Sequence, residues 1–171
     1  DVAVTIPFEE AKENVLKATS VLGETYTSIM KEGFANRWID VYENVGKRSG
    51  AYSCGVRKHP YVLLNHKDNL DSEFTLAHEM GHALHSYYSN KTQPVIDSDY
   101  VIFVAEVAST VNEVLLLKYL LKNKNAGRAT FLPRSTIKGN RLNVKGLAEE
   151  EGYIALGCDL IGYDSKYDAV M

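Results

Sequence analysis

The sequence predicts a mainly α-helical protein with one small β hairpin or sheet, and three observations carry that expectation. Apolar residues recur at helical spacing over Pro7–Ser20, Glu24–Gly33 and Tyr100–Leu121, and around Phe74–Leu84. Strand-like sequence is confined to Ala51–Val56 and Tyr61–Asn65, two short runs in a turn-rich stretch. A chain of 171 residues with 45% hydrophobic and 24% charged residues fits one ordinary globular domain.

Each element has a local reason. Pro7 suits the first turn of a helix, Glu9 and Glu10 complement its amino-terminal dipole, and Val15, Leu16 and Ala18 supply the apolar positions. Gly23 separates this helix from a second, in which Tyr26, Ile29 and Met30 share a stripe. Phe34–Tyr42 is expected to continue as a short third helix, with Trp38, Ile39 and Val41 in the core. Asn44–Gly50 is rich in turn formers and reads as a loop. It lacks the Gly-x-x-x-x-Gly-Lys-Ser/Thr spacing of a phosphate loop, which excludes that function. Tyr61-Val62-Leu63-Leu64, bounded by Pro60 and Asn65, is expected to expose an edge on which an extended peptide can add as a further strand, or else to be a plain structural hairpin. Ser86–Asp99 reads as a polar loop containing Pro94. Tyr100–Leu121 is apolar over so much of its surface that a buried helix is expected.

Chemistry concentrates in Thr75-Leu76-Ala77-His78-Glu79-Met80-Gly81-His82-Ala83-Leu84-His85, which contains His-Glu-x-x-His. On a helix, residues four apart stand one turn above another, so His78 and His82 can aim two imidazoles at one point. That supplies two of the three protein ligands of a catalytic zinc, with a position left for water. Glu79 is turned by about 100° around the axis and suits a general base rather than a ligand. Asp71 or Ser72 can cap the helix. Gly81 weakens a helix interior by roughly 1 kcal/mol relative to alanine, which points to a close approach by a ligand or a neighbouring backbone.

Glu106 lies twenty-four residues after His82 and is the expected third ligand, brought opposite the histidines by two antiparallel helices. The reasoning is that a carboxylate on a buried helix is costly unless it is paired or bound to a cation. Glu113, seven residues on, is placed to orient a ligand histidine through its second ring nitrogen. Asp97 and Asp99 are alternative donors. His85 is about 10 Å along the axis from His78 and so falls outside a shared metal site. His59 and His66 flank the second strand, where they are candidates for substrate contact.

The net charge of −3 gives no electrostatic footprint for nucleic acid or an anionic membrane. No apolar run approaches 18 residues, so no spanning helix is expected. Asp1-Val2-Ala3-Val4 reads as the start of a processed or excised chain. Cys54 and Cys158 lack metal-ligand spacing and are expected as reduced thiols.

Phe74–Ser86 and Phe103–Glu113 resemble oligoendopeptidase F, of the thimet-oligopeptidase class of zinc peptidases, and so do Lys47–Tyr52 and Pro60–Asn65. These four blocks occur in the family's order, and the resemblance spans roughly Ala11–Leu121. It implies a zincin-like catalytic core with His78, His82 and Glu106 on one zinc ion and Glu79 as base. It also implies short peptide substrates cut internally in the cytoplasm. From about Asn123 the likeness ends: Gly162–Tyr167 only faintly echoes the family's Gly-Tyr loop, and Cys158 sits near the place of an expected histidine. Residues 1–122 are therefore expected as the metallopeptidase core and 123–171 as a divergent tail, with a possible turn at Lys138–Asn140 and an acidic run at Glu149–Glu151. An alternative is a non-catalytic zinc-binding fragment or interaction module that lacks the substrate lobe; a third is a helical scaffold with an accidental motif. Cobalt or manganese could replace zinc. Cleavage preference, oligomeric state and the residue that completes the oxyanion site are not set by the sequence.

Overall fold

The computed structural model describes residues 5–123, and the expectations for Cys158 and the rest of the tail lie outside them. The chain forms four helices and a three-stranded sheet: α1 (Phe8–Thr19), α2 (Glu24–Ala35), β1 (Ile39–Asp40), β2 (Tyr52–Cys54), β3 (Tyr61–Leu63), α3 (Leu70–Thr92) and α4 (Ile102–Asn123). Single 3-10 turns at Ser20–Leu22 and Val95–Asp97 precede α2 and α4. The chain divides into two units after Leu116, and everything that builds the site belongs to the first. Mostly helical with a small sheet, the architecture matches the expected fold class.

The core is organised by α3. Leu76, Ala77, Met80, Ala83 and Leu84 on it are fully buried. Helices α1 and α2 and strands β2 and β3 pack against it, bringing Ala11, Val15 and Met30 into the core with Val62 and Leu64. The cap of α3 is Asn69, whose side chain accepts from the Ser72 amide, rather than Asp71 or Ser72. The Ser72 hydroxyl instead accepts from the Lys67 amide and ties down the incoming chain.

Four further expectations are corrected. Phe34–Tyr42 is not a helix: α2 stops at Ala35, Arg37 takes a left-handed φ of 62°, and Ile39–Asp40 becomes β1. Helical and extended spacing look alike in so short an apolar run. The choice is made by long-range bonds, from the Val62 amide to the Trp38 carbonyl and the Leu64 amide to the Asp40 carbonyl, both 2.8 Å. Trp38 itself folds back on Gly33, where an added Cβ would meet its ring at 2.8 Å.

The sheet order is β1-β3-β2, with β1 parallel and β2 antiparallel to β3. The strand expected to offer a free edge is thus the central one, and the outer strand beside it is β2. Nor is Ser86–Asp99 a loop throughout, since α3 runs on to Thr92. Its polar last turns are held by aromatic contacts, Tyr87 stacked on Trp38 and Tyr88 on Tyr26. Finally, α4 is only partly buried. Ile102 and Phe103 are each 77% exposed, and Val104, Val107 and Val111 are exposed as well.

Candidate metal centre

His78 and His82 project from adjacent turns of α3, with their Nε2 atoms 3.0 Å apart. Glu106 of α4 reaches the same point. Its Oε2 lies 3.6 Å from His78 Nε2 and its Oε1 3.7 Å from His82 Nε2. One ligand atom from each of the three residues falls within 4.8 Å of the others. Tetrahedral zinc with bonds of 2.0–2.1 Å sets its ligand atoms about 3.3 Å apart, so these spacings fit that ion. Asp97 and Asp99 are not in this cluster, the one such group among the described residues.

The tautomers favour the same use. Glu113 takes the Nδ1 proton of His78 in a short hydrogen bond, which leaves the Nε2 lone pair of His78 facing the site. Burial pulls the His78 pKa down, but the hydrogen bond and charge of Glu113, with Glu79 and Glu106, carry it above the usual value. His82 is lowered by burial and by neighbouring His78. Glu79 is 7% exposed, and its Oε2 is buried without a hydrogen-bond partner. Burial, with Glu106 and Glu113 nearby and only His78 opposing, pushes its pKa up to about 7.

Glu106 gets there because α3 and α4 nearly touch. A Cβ on Gly81 would sit 2.6 Å from the Cα of Ser109 and 2.8 Å from the carbonyl oxygen of Ala108. The close approach signalled by this glycine is therefore that of a backbone. Ser109 then donates to both the carbonyl and the Oε2 of Glu106, at 3.0 and 3.1 Å. The Glu106 side chain is half exposed, so the burial argument for it does not hold; its place is set by helix contact instead.

The remaining histidines stand elsewhere. His85 stacks on Tyr100 at 4.1 Å, and His59 stacks on Trp38 at 5.3 Å. His66 is buried against Phe8 and Tyr42. Sequence reading missed Asn112 and Tyr26, which bridge three helices beside the site. The only available signal was an asparagine inside an apolar helix, where it needs partners.

Residues 4–141 match Peptidase family M3, and the chain belongs to that family. Oligopeptidase PepF of Bacillus subtilis is 56% identical over 124 residues, which are 72% of this chain and 18% of that protein. An oligoendopeptidase F homolog of Borreliella burgdorferi is 52% identical over 68% of this chain and 20% of its own length. A crystal structure of a protein from Chlamydophila abortus superposes with a TM-score of 0.73 at 39% identity, covering 91% of this chain and 27% of that one. The chain thus spans about a fifth of the length of the curated relatives it matches. None of the helices in the described residues is long and apolar enough to cross a membrane.

Proposed function

We propose that this chain carries the hydrolytic centre of a zinc endopeptidase that cuts short peptides. One observation supports the reading above the others: two imidazole nitrogens and a carboxylate converge within 4.8 Å, and the carboxylate next in sequence to one of them has a buried oxygen without a partner. His78, His82 and Glu106 would hold the ion. Bound there, zinc would supply Lewis-acid polarisation of a carbonyl and would bring the pKa of water from 15.7 towards ~7.

Glu79 is the proton carrier. Next in sequence to His78, its carboxylate is placed to accept a proton from water and pass it to the leaving amine. Its lack of a hydrogen-bond partner leaves Oε2 available to do so. Glu113 holds the His78 ring in one tautomer and orientation. Strand β2 packs on α3 and pairs with β3 on one side, so its outer edge can take an extended peptide by backbone hydrogen bonds. The names of the relatives, oligopeptidase and oligoendopeptidase, support short peptides as substrates and internal cleavage. We place the core in residues 1–122 and a divergent tail after it, with the family match running on to residue 141, and the activity in the cytoplasm, with cobalt or manganese as substitute ions.

The test is metal analysis after dialysis together with hydrolysis of a quenched fluorescent peptide. Glu79→Gln should keep one zinc per chain and lose hydrolysis; undiminished hydrolysis would remove Glu79 from the mechanism. A second reading keeps the zinc and drops the turnover. On it the chain is a zinc-binding module that does not turn over, giving stoichiometric zinc and no cleavage above buffer.

A further inference from the structure

Beside the metal centre a buried polar link joins three helices. Asn112 of α4 is 1% exposed. Its Nδ2 donates to the carbonyl of Ala77 on α3 at 3.1 Å, and its Oδ1 accepts from the Tyr26 hydroxyl on α2 at 3.0 Å. Both ends of the amide are therefore assigned, and it can turn neither way without stranding a buried group. Ala77 immediately precedes His78, and Asn112 immediately precedes Glu113. The ring of Tyr26 stacks on Tyr88, which sets the hydroxyl in place. Burial holds the phenol at a pKa of about 12, so it remains a donor throughout the working range.

The contact of Ser109 with Gly81 fixes how close the helices come, and buried Leu116 adds apolar packing, but neither is a directional bond. Asn112, one turn beyond Ser109 on α4, supplies directional bonds to both neighbouring helices. We propose that Asn112, gripped by Tyr26, is a positioning residue: it sets the register of α4 against α3 so that Glu113 meets His78 Nδ1 while Glu106 meets the two Nε2 atoms. It touches neither the ion nor a substrate and acts through Glu113 and Glu106. The inference rests on the metal-centre reading and deepens it.

The experiment uses the full chain and two readouts besides activity: zinc affinity by competition with a chromophoric chelator, and the visible absorption spectrum of bound Co2+. Partners that orient metal ligands are typically worth 10–100-fold in affinity, and one step further out Asn112→Leu should weaken zinc by about tenfold and alter the Co2+ spectrum. Tyr26→Phe keeps the stacked ring and removes one hydroxyl, so it should fold and shift both readouts in the same direction to a smaller extent. Thr19→Val is the control. Thr19 is fully buried and its hydroxyl bonds the Val15 carbonyl, so this change should lower Tm without altering zinc affinity. The proposal is overturned if Tyr26→Phe and Asn112→Leu lower Tm as the control does yet bind Zn2+ and Co2+ as the unaltered chain does. If Asn112→Leu does not fold, Tyr26→Phe decides alone. If the unaltered chain binds no zinc, the metal-centre reading itself falls, and this proposal with it.

Discussion

Replacing Gly81 with alanine sets two effects of known size against each other. Within α3 the change is favourable by roughly 1 kcal/mol, because glycine is a poor helix former. Between helices it is unfavourable. The new methyl would lie 2.6 Å from Ser109 Cα, 2.8 Å from the Ala108 oxygen and 3.0 Å from the Ala108 carbonyl carbon, against an ordinary contact of at least 3.4 Å. All three atoms are backbone, so no side-chain rotation relieves the clash and α4 must move away by about 0.8 Å. Overpacking of this kind costs about 1–3 kcal/mol, so net stability should fall by about 0–2 kcal/mol. The larger effect is on the site, because Glu106 lies within one turn of Ser109 and is hydrogen-bonded to it. Ligand distances in metal sites hold to about ±0.2 Å, so a displacement several times larger should weaken zinc at least tenfold, or about 1.4 kcal/mol. Chelator competition measures this, with thermal melts with and without zinc run alongside. Gly23→Ala is a useful contrast: it strains a φ of 97° in open space and should lower Tm while leaving zinc affinity alone. Should Gly81→Ala bind zinc as tightly as the unaltered chain, close helix contact is not what places Glu106.

Three other outcomes are expected. Glu113→Gln should weaken zinc by about 10–100-fold while the protein remains folded, read by the same competition; unchanged affinity would separate Glu113 from the ligand histidine. Glu79 should make the metal-free protein less stable as pH rises from about 4.5 to 7. Across that window folded Glu79, with its pKa of about 7 against an ordinary 4.5, holds a proton that the unfolded chain has released. The effect is at most roughly 3 kcal/mol. His78, also raised, acts in the same sense, its contribution present below 6.5 and lost as pH climbs through the folded value, whereas His82 and His85, both lowered, act in the opposite sense. Urea titrations in chelator at several pH values isolate this slope as the difference between the unaltered chain and Glu79→Gln; equal slopes contradict the assignment. Phe103→Ser, at a residue 77% exposed, should change stability by no more than about 0.5 kcal/mol despite its apolar surroundings, as a denaturant midpoint will show.

The parts of this molecule that were legible in the sequence are those set by local spacing. His78, Glu79 and His82 declare their common helix by their intervals, and Gly81 signals a close approach. The burial argument for Glu106 fails, because its side chain is half exposed and the cost of burial does not mark it. Its seven-residue interval to Glu113 gave the better indication, since both face the histidines. What stayed hidden depends on partners distant in the chain. Ile39–Asp40 is a strand because β3 lies ready to pair with it, and Tyr87 and Tyr88 extend α3 because Trp38 and Tyr26 receive them. Asn112 finds its two partners 35 and 86 residues away. A valine-rich helix such as α4 does not reveal which of its apolar sides meets other protein.

The sheet order has a bearing on how the chain acquires its shape. Both outer strands depend on the one that is synthesised last, so a nascent polypeptide ending before Tyr61 holds two segments with nothing in this sheet to pair with. The middle strand ends at Leu63 and α3 starts at Leu70, so sheet and long helix emerge almost together. Because β1 joins β3 across more than twenty residues, closing the sheet means forming a long-range contact, one of the slower kinds of step in folding. A ribosome that pauses between Cys54 and Tyr61 would leave β1 and β2 without their partner for the length of the pause.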